Sequence, residues 1–299
     1  MKTKEWFEQW LSVYVKGQVK PRTYTKYSQI TKNHIIPHFG ERELSDISRD
    51  DIQRLAYVEF RQNALLSTST INSVLMVLNA ALTIAEDNNM IPNNPCRKVK
   101  RLPHDEKKVD AFTQSEQRKI EAYIEQSNKH KLRGISICLY MGLRIGELLA
   151  LTWSDVDLRM KTISITKTAG DNGEWYTTKT KAGHRIIPIP NCLISDFRLL
   201  KTHSTCAYVI ETKGRNTNIR AYRELFRRML ERIGIRHLCF HSLRHTFATR
   251  ALECGMDIKT LSELMGHANV SITLNRYAHC QMEQKRKAIN HLSKMNNGN

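Results

Sequence analysis

The sequence predicts a mainly α protein of two lobes, the second and larger carrying one small antiparallel sheet. Three observations predict it. Apolar residues recur at helical spacing through the first hundred positions. A charge-rich stretch poor in apolar residues follows at 99–110. Beyond it the helical period returns, gives way near Thr162 to strand-like alternation, and resumes after Asn191.

In the first lobe, Trp6, Trp10, Leu11 and Tyr14 define one helix, closed by Gly17. A second starts at Pro21, whose fixed φ suits a first turn, and runs through Tyr24, Tyr27 and Ile30; the segment Ile35 to Gly40 is expected to break it. Another starts near Ser48, with Asp50 and Asp51 in the first turn, where negative charge meets the positive end of the helix dipole. Ser69 to Asp87 is the clearest helix, since Ile71, Val74, Leu75, Leu78, Ala81, Leu82 and Ala85 form a single apolar stripe. Two prolines and four asparagines between Asn88 and Pro95 end it.

In the second lobe, Thr113 and Glu116 have capping-box spacing and open a helix. A further helix covers about Leu132 to Met141, with Gly142 suited to its end. Thr162 to Thr166 and Arg185 to Ile189 read as strands, with turns at Asp171-Asn-Gly-Glu and Lys181-Ala-Gly-His; a short strand is also expected at Ala207 to Ile210. The domain reading is therefore 1–98 helical, 99–110 a basic linker, and 111–299 the larger lobe with a tail from about 280.

With 47 Lys+Arg against 29 Asp+Glu, the formal net charge is +18. A balance of that sign favours a polyanion, because neutralised phosphates release condensed counterions. No basic amphipathic anchor stands out, and the longest apolar-looking run, Ile135 to Leu143, is too short to cross a bilayer, so no membrane partner is expected. The charged start has no signal-peptide core, and the seven scattered cysteines include no Cys-x-x-Cys pair. Both point to a cytoplasmic protein with reduced thiols and no metal site.

Four segments of the second lobe hold residues suited to an anion. Gly142-Leu-Arg-Ile-Gly-Glu-Leu148 sets Arg144 between two glycines in apolar surroundings, where a guanidinium requires an anionic partner, and Glu147 is one candidate. Thr178-Lys-Thr-Lys-Ala-Gly-His-Arg185 is a basic turn between strands, offering Lys179 and Lys181. His241 and Arg244 are three apart, hence on one helix face, close to where its N-terminus is expected. Finally, His267 follows a helix-ending glycine, and Tyr277 comes ten residues later. Each alone is a weak signal.

In this order, Arg…Lys…His-x-x-Arg…Gly-His…Tyr, they carry a resemblance to the tyrosine recombinases of the phage and conjugative-transposon integrase type. His-Ser-Leu-Arg-His-Thr-Phe-Ala-Thr, Met-Gly-His-Ala and Thr-Lys-Thr-Lys-Ala-Gly-x-Arg-x-Ile-Pro are similar to the family motifs in local context. The resemblance implies a SAM-like core-binding domain followed by a catalytic domain of the tyrosine recombinase fold. It implies attack by Tyr277 on a phosphodiester of double-stranded DNA at a core recombination site, giving a 3′-phosphotyrosyl link without ATP or any cofactor. It assigns phosphate clamping to Arg144 and Arg244, proton transfer at the nucleophile to His241, and phosphate or nucleophile support to His267. Protonation of the leaving 5′-oxygen falls to Lys179, with Lys181 the alternative. It further implies a homotetramer on two DNA duplexes, joined through the C-terminal tail, and a possible accessory bending or directionality factor. The long lysine hairpin is similar to that of mobile-element integrases. The competing readings are a non-catalytic DNA-binding protein and a type IB-like topoisomerase.

Overall fold

The computed structural model describes residues 1–103, 110–170, 174–177, 184–267 and 269–277. The chain divides into two compact units, Met1–Lys107 and Lys108–Asn299.

In the first unit the helices are α1 (Thr3–Gln9), α2 (Pro21–Ile30), α3 (Ile36–Phe39), α4 (Arg49–Arg54) and α5 (Thr68–Asp87). Three of them continue in wider π-helical turns, over Trp10–Val15, Thr31–Ile35 and Leu55–Asn63. Pro21 opens α2 and Gly17, at φ +84°, follows the first helical run, as expected. At α4 the Ser48 hydroxyl accepts the Asp51 N–H while the Asp51 carboxylate accepts the Ser48 N–H, a reciprocal cap. The expected break at Ile35–Gly40 is corrected: the backbone stays helical through Phe39. Pro37 comes directly after the π-helical turn Thr31–Ile35, whose wider closure, Ile36 N–H to the Thr31 carbonyl, takes up the ring and the missing N–H.

The core of this unit gathers on α5, whose Ile71, Val74, Leu78 and Leu82 are buried with Trp6, Phe7, Ile35 and Phe60. The Trp6 indole enters that core and donates to the Ala81 carbonyl at 3.2 Å, so its one polar atom is satisfied. Among the described residues, α5 alone is long and apolar enough to cross a bilayer, against the expectation of no such span, but its apolar stripe is occupied by this core. The chain after α5 stays fastened to it. Asn72 exchanges two hydrogen bonds with the backbone of Leu102, and the Tyr57 hydroxyl donates to the Lys100 carbonyl.

The second unit contains α6 (Gln114–Gln126), α7 (Arg133–Met141), α8 (Ile145–Ala150), α9 (Ile194–Thr202), α10 (Ile219–Arg232), α11 (His241–Glu253), α12 (Ile258–Met265) and α13 (Val270–Tyr277). Thr113 and Glu116 cap α6 reciprocally, as their spacing predicts. Instead of one sheet, the described residues form three small antiparallel ones. The largest orders β1 (Val156–Asp157), β2 (Thr162–Ile165) and β5 (Arg185–Pro188) side by side. The others pair β3 (Lys167–Ala169) with β4 (Trp175–Thr177), and β6 (Glu211–Thr212) with β7 (Arg215–Asn216). The strand expected at Ala207 to Ile210 is also corrected. That stretch makes a single bridge, Tyr208 to Thr152, and is held by burial of Val209 and Ile210.

In the register of β2 with β5, Ile163 faces Ile187 and Ile165 faces Arg185. Ile163, Ile165 and Ile187 join Leu139, Leu148, Phe197, Phe226 and Leu243 in the main core. The helix α11 packs on α7, and α12 lies against both α11 and β5. Those contacts bring the chain ends that carry the candidate residues together.

Candidate active site

Helix α7 ends at Gly142, whose φ of +64° is left-handed, and the chain turns through Leu143 to Arg144. Two constraints exclude a side chain at Gly142. The positive φ strains any L residue, and a Cβ there would lie 2.4 Å from the Phe247 ring of α11. Gly146, in the next helix, has the same steric role, since a Cβ would meet the Thr168 hydroxyl at 2.4 Å and the Ala169 carbonyl at 2.9 Å. The glycines flanking Arg144 thus let α11 and β3 close on it from two sides.

Arg144 precedes α8 and is 39% exposed along its side chain. Its Nη1 donates to Glu147 Oε1 at 2.7 Å, and its backbone N–H donates to Glu147 Oε2 at 3.0 Å. The pairing expected between these two residues is present, but Glu147 has a second and deeper partner. Arg185 Nη1 and Nη2 donate to its two oxygens at 3.1 and 2.8 Å. Both members of that pair are buried, Arg185 at 7% and Glu147 at 3% side-chain exposure. Burial alone would raise the Glu147 pKa; hydrogen bonds from Arg185 and the charges of Arg185, Arg144 and Arg244 outweigh it and hold the carboxylate at about 2. Glu147 is therefore ionised at neutral pH.

Arg244, on α11, is 1% exposed and donates to the Gly142 carbonyl at 2.7 Å and the Met265 carbonyl at 2.5 Å. A pattern emerges at the end of α12. Leu264, Met265 and Gly266 each offer a carbonyl to a different arginine: Arg185 Nε at 2.7 Å, Arg244 Nη2, and Arg144 Nη2 at 3.4 Å. The last carbonyls of a helix lack intrahelical donors and carry the negative end of its dipole, so cations are the natural partners. Gly266, at φ +62°, ends α12, and the His267 N–H returns to the Ser262 carbonyl at 3.0 Å in the six-to-one closure typical of such ends.

His267 Nδ1 lies 2.7 Å from the hydroxyl of Thr273, a buried residue of α13. Thr273 precedes Tyr277, the last residue of that helix, by about one turn. His241 opens α11 and is exposed, its ring edge-on to that of His245 at 4.6 Å. Arg144, Arg244 and His267 are thus brought together around the end of α12, and His241 lies one turn from Arg244. The side chain of Tyr277, Lys179, Lys181 and the tail from about 280 lie outside the described residues. Arg185, quoted in the hairpin motif but given no role, is the residue the sequence reading missed.

Two guanidiniums, Arg144 and Arg185, share the Glu147 carboxylate and the charge of Arg244 acts on it as well, leaving 3 − 1 = +2 of fixed charge, with Arg144 the most exposed of the three. An arrangement of this kind suits a phosphodiester, which planar guanidiniums engage bidentately. Among the described residues, no group of three or more His, Cys, Asp or Glu could hold a metal ion.

The phage integrase family matches this chain over residues 110–284, and the phage integrase N-terminal SAM-like domain over residues 3–57. The chain belongs to the phage integrase family. It is a site-specific tyrosine recombinase by that membership, as the ordered motifs imply. Among its relatives, the tyrosine recombinase XerC-like protein of Caldanaerobacter subterraneus subsp. tengcongensis is 30% identical, over 95% of this chain and 81% of that one. The ICEBs1 integrase of Bacillus subtilis is 24% identical, over 91% and 78%. In fold, this integrase-family chain matches the Tn1549 transposon integrase, solved in complex with transposon right-end DNA. That likeness has a TM-score of 0.82 at 23% identity and covers 98% of this chain and all of the other. A lambda integrase dimer bound to a core site matches with a TM-score of 0.75 at 18% identity, over 92% and 95%.

Proposed function

We propose that this recombinase integrates or excises a mobile element, cleaving DNA with Tyr277 as nucleophile. The observation that carries the reading is the gathering of Arg144, Arg185 and Arg244 at the end of α12, one loop before the helix that ends in Tyr277. In the step we propose, the Tyr277 oxygen forms a bond to phosphorus and loses its proton towards His241. The bond from phosphorus to the 5′-oxygen breaks, and that oxygen takes a proton from Lys179 or, failing that, Lys181. A free tyrosine has a pKa near 10 and an alkoxide is a poor leaving group, so both proton transfers lower the barrier. Arg144 and Arg244 offset the charge that builds on the non-bridging oxygens, an effect worth roughly 3–4 kcal/mol per well-placed donor. His267, tied to α13 through Thr273, supports the phosphate or the nucleophile. A second strand's 5′-hydroxyl reverses the step, and no cofactor is consumed.

The mobile-element reading is supported by the relatives that carry such names, among them the transposase of transposon Tn916 from Enterococcus faecalis. With the net charge of +18, the proposed partner is double-stranded DNA rather than a membrane, in the cytoplasm. The proposed assembly is a homotetramer on two duplexes, joined through residues from about 280, with an accessory bending or directionality factor. The domain roles proposed are core-site binding for 1–98, connection for 99–110 and catalysis for 111–299.

The test is a suicide substrate, nicked so that the cleaved strand cannot rejoin, taken from DNA flanking the gene. A covalent adduct that Tyr277→Phe abolishes while binding persists is the expected result. An adduct surviving in Tyr277→Phe would remove that residue from its role, and relaxation of supercoils without strand exchange would replace recombination by topoisomerase activity.

A further inference from the structure

We infer that Arg185 is a positioning residue that takes up the charge of Glu147, so that Arg144 is held in place yet keeps its own charge for a phosphate. This rests on the proposed reading of Arg144 as a phosphate ligand.

Glu147 is 3% exposed, carries a single charge and divides its oxygens between two guanidiniums. Were Arg144 its nearest cation alone, carboxylate and guanidinium would cancel at close range. An incoming phosphodiester would then compete with a buried anion for the same N–H groups. Arg185 changes that balance. Its two terminal nitrogens grip both Glu147 oxygens, and its Nε is fixed on the Leu264 carbonyl at 2.7 Å. At 7% exposure its charge acts inside the protein, whereas Arg144, at 39%, keeps part of its surface open. A carboxylate that needed only to fix the Arg144 rotamer could do so as a lone pair on the surface. Burying it with a second arginine, at considerable desolvation expense, is what a charge-balancing role demands.

The experiment compares Arg185→Met, Arg185→Lys, Glu147→Gln and the double variant Arg185→Met/Glu147→Gln in the full chain. The readouts are single-turnover cleavage of the suicide substrate, DNA affinity, and the rise in melting temperature produced by inorganic phosphate. Arg185→Met is expected to slow cleavage on the order of 100-fold, because Arg144, neutralised by Glu147, is then lost as a preorganised donor, and to abolish the phosphate-induced rise, with DNA affinity little changed. Arg185→Lys, which keeps the charge and loses the two-pronged grip, restores most of both. The double variant outperforms Arg185→Met, because removing the carboxylate removes the need for the second cation. A purely structural role for Arg185 would make the two losses multiply. The inference is overturned if the double variant is no better than Arg185→Met, or if Arg185→Lys is as slow as Arg185→Met. Should Arg185→Met not fold, Arg185→Lys decides: a rate within about tenfold of the parent supports the charge role, and a deeper loss overturns it. Absence of any adduct with the parent protein would sink the recombinase step instead; the phosphate-induced rise then still tests Arg185 by itself.

Discussion

The two units solve the problem of a core in opposite ways. Among the described residues of the first, every buried side chain is apolar or an uncharged Thr or Asn, and its bidentate ion pair, Arg42 with Asp51, sits at the rim with 38% and 29% exposure. In the second, Glu147, Arg244 and Asp196 are buried, and the bidentate pair of Arg185 with Glu147 is closed off at 7% and 3%. Burying ions lowers stability relative to an apolar core of the same shape unless every hydrogen bond is met. The second unit accepts that penalty, which the proposed chemistry of its arginine cluster would account for, and the clearest way to break the contrast is to remove one charge from each.

The largest effect is expected from Glu147→Ala, which leaves Arg185 and Arg144 without the carboxylate that both of them bind. We expect roughly 3–5 kcal/mol lost in urea denaturation, together with cleavage. A loss under about 1 kcal/mol would mean that the cluster contributes little to the fold. Leu78→Ala, in the apolar unit, is expected to lower stability by roughly 3 kcal/mol through a cavity. Cleavage per folded molecule should stay unchanged; if it falls as well, the functional separation of the two units fails. Gly142→Ala is expected to lower stability by about 1–2 kcal/mol from the left-handed backbone alone, and to slow cleavage by shifting the carbonyl that holds Arg244. Asp51→Asn, at the rim, should lower stability by only about 1 kcal/mol, mainly through the weakened cap on α4.

Acid titration sharpens the same contrast. The folded-state pKa of Glu147 is depressed to about 2, below the ordinary carboxylate range near 4.3, so its stabilisation is complete above that range and lost as pH falls towards 2. Glu147→Gln should remove this acid-dependent part of the second unit's stability, measured by denaturation between those limits. A titration curve identical to the parent's would show that other carboxylates govern it.

Much of the fold could be read from local chemistry. Ser48 with Asp51, Thr113 with Glu116, Pro21, Gly142 and Gly266 each mark a helix end because caps depend on residues within one turn. Pro37 misled for a related reason. It signals a stop in mid-helix, but directly after a π-helical turn it does not interrupt, and nothing local distinguishes the two. Arg185 was missed because its meaning is entirely non-local: its carboxylate is 38 residues away and its carbonyl partner 79. Seen locally it is one more cation beside a basic hairpin. Arg144, Arg244 and His267 were found through the order of family motifs, yet their common footing on α12 is visible only in three dimensions.

That common footing bears on how the site withstands thermal motion. Arg144, Arg185 and Arg244 come from three different elements but take their bearings from three consecutive carbonyls of one helix end. A small shift of α12 is therefore expected to displace the three guanidiniums together, so that their mutual spacing changes less than it would if each were held by a separate element.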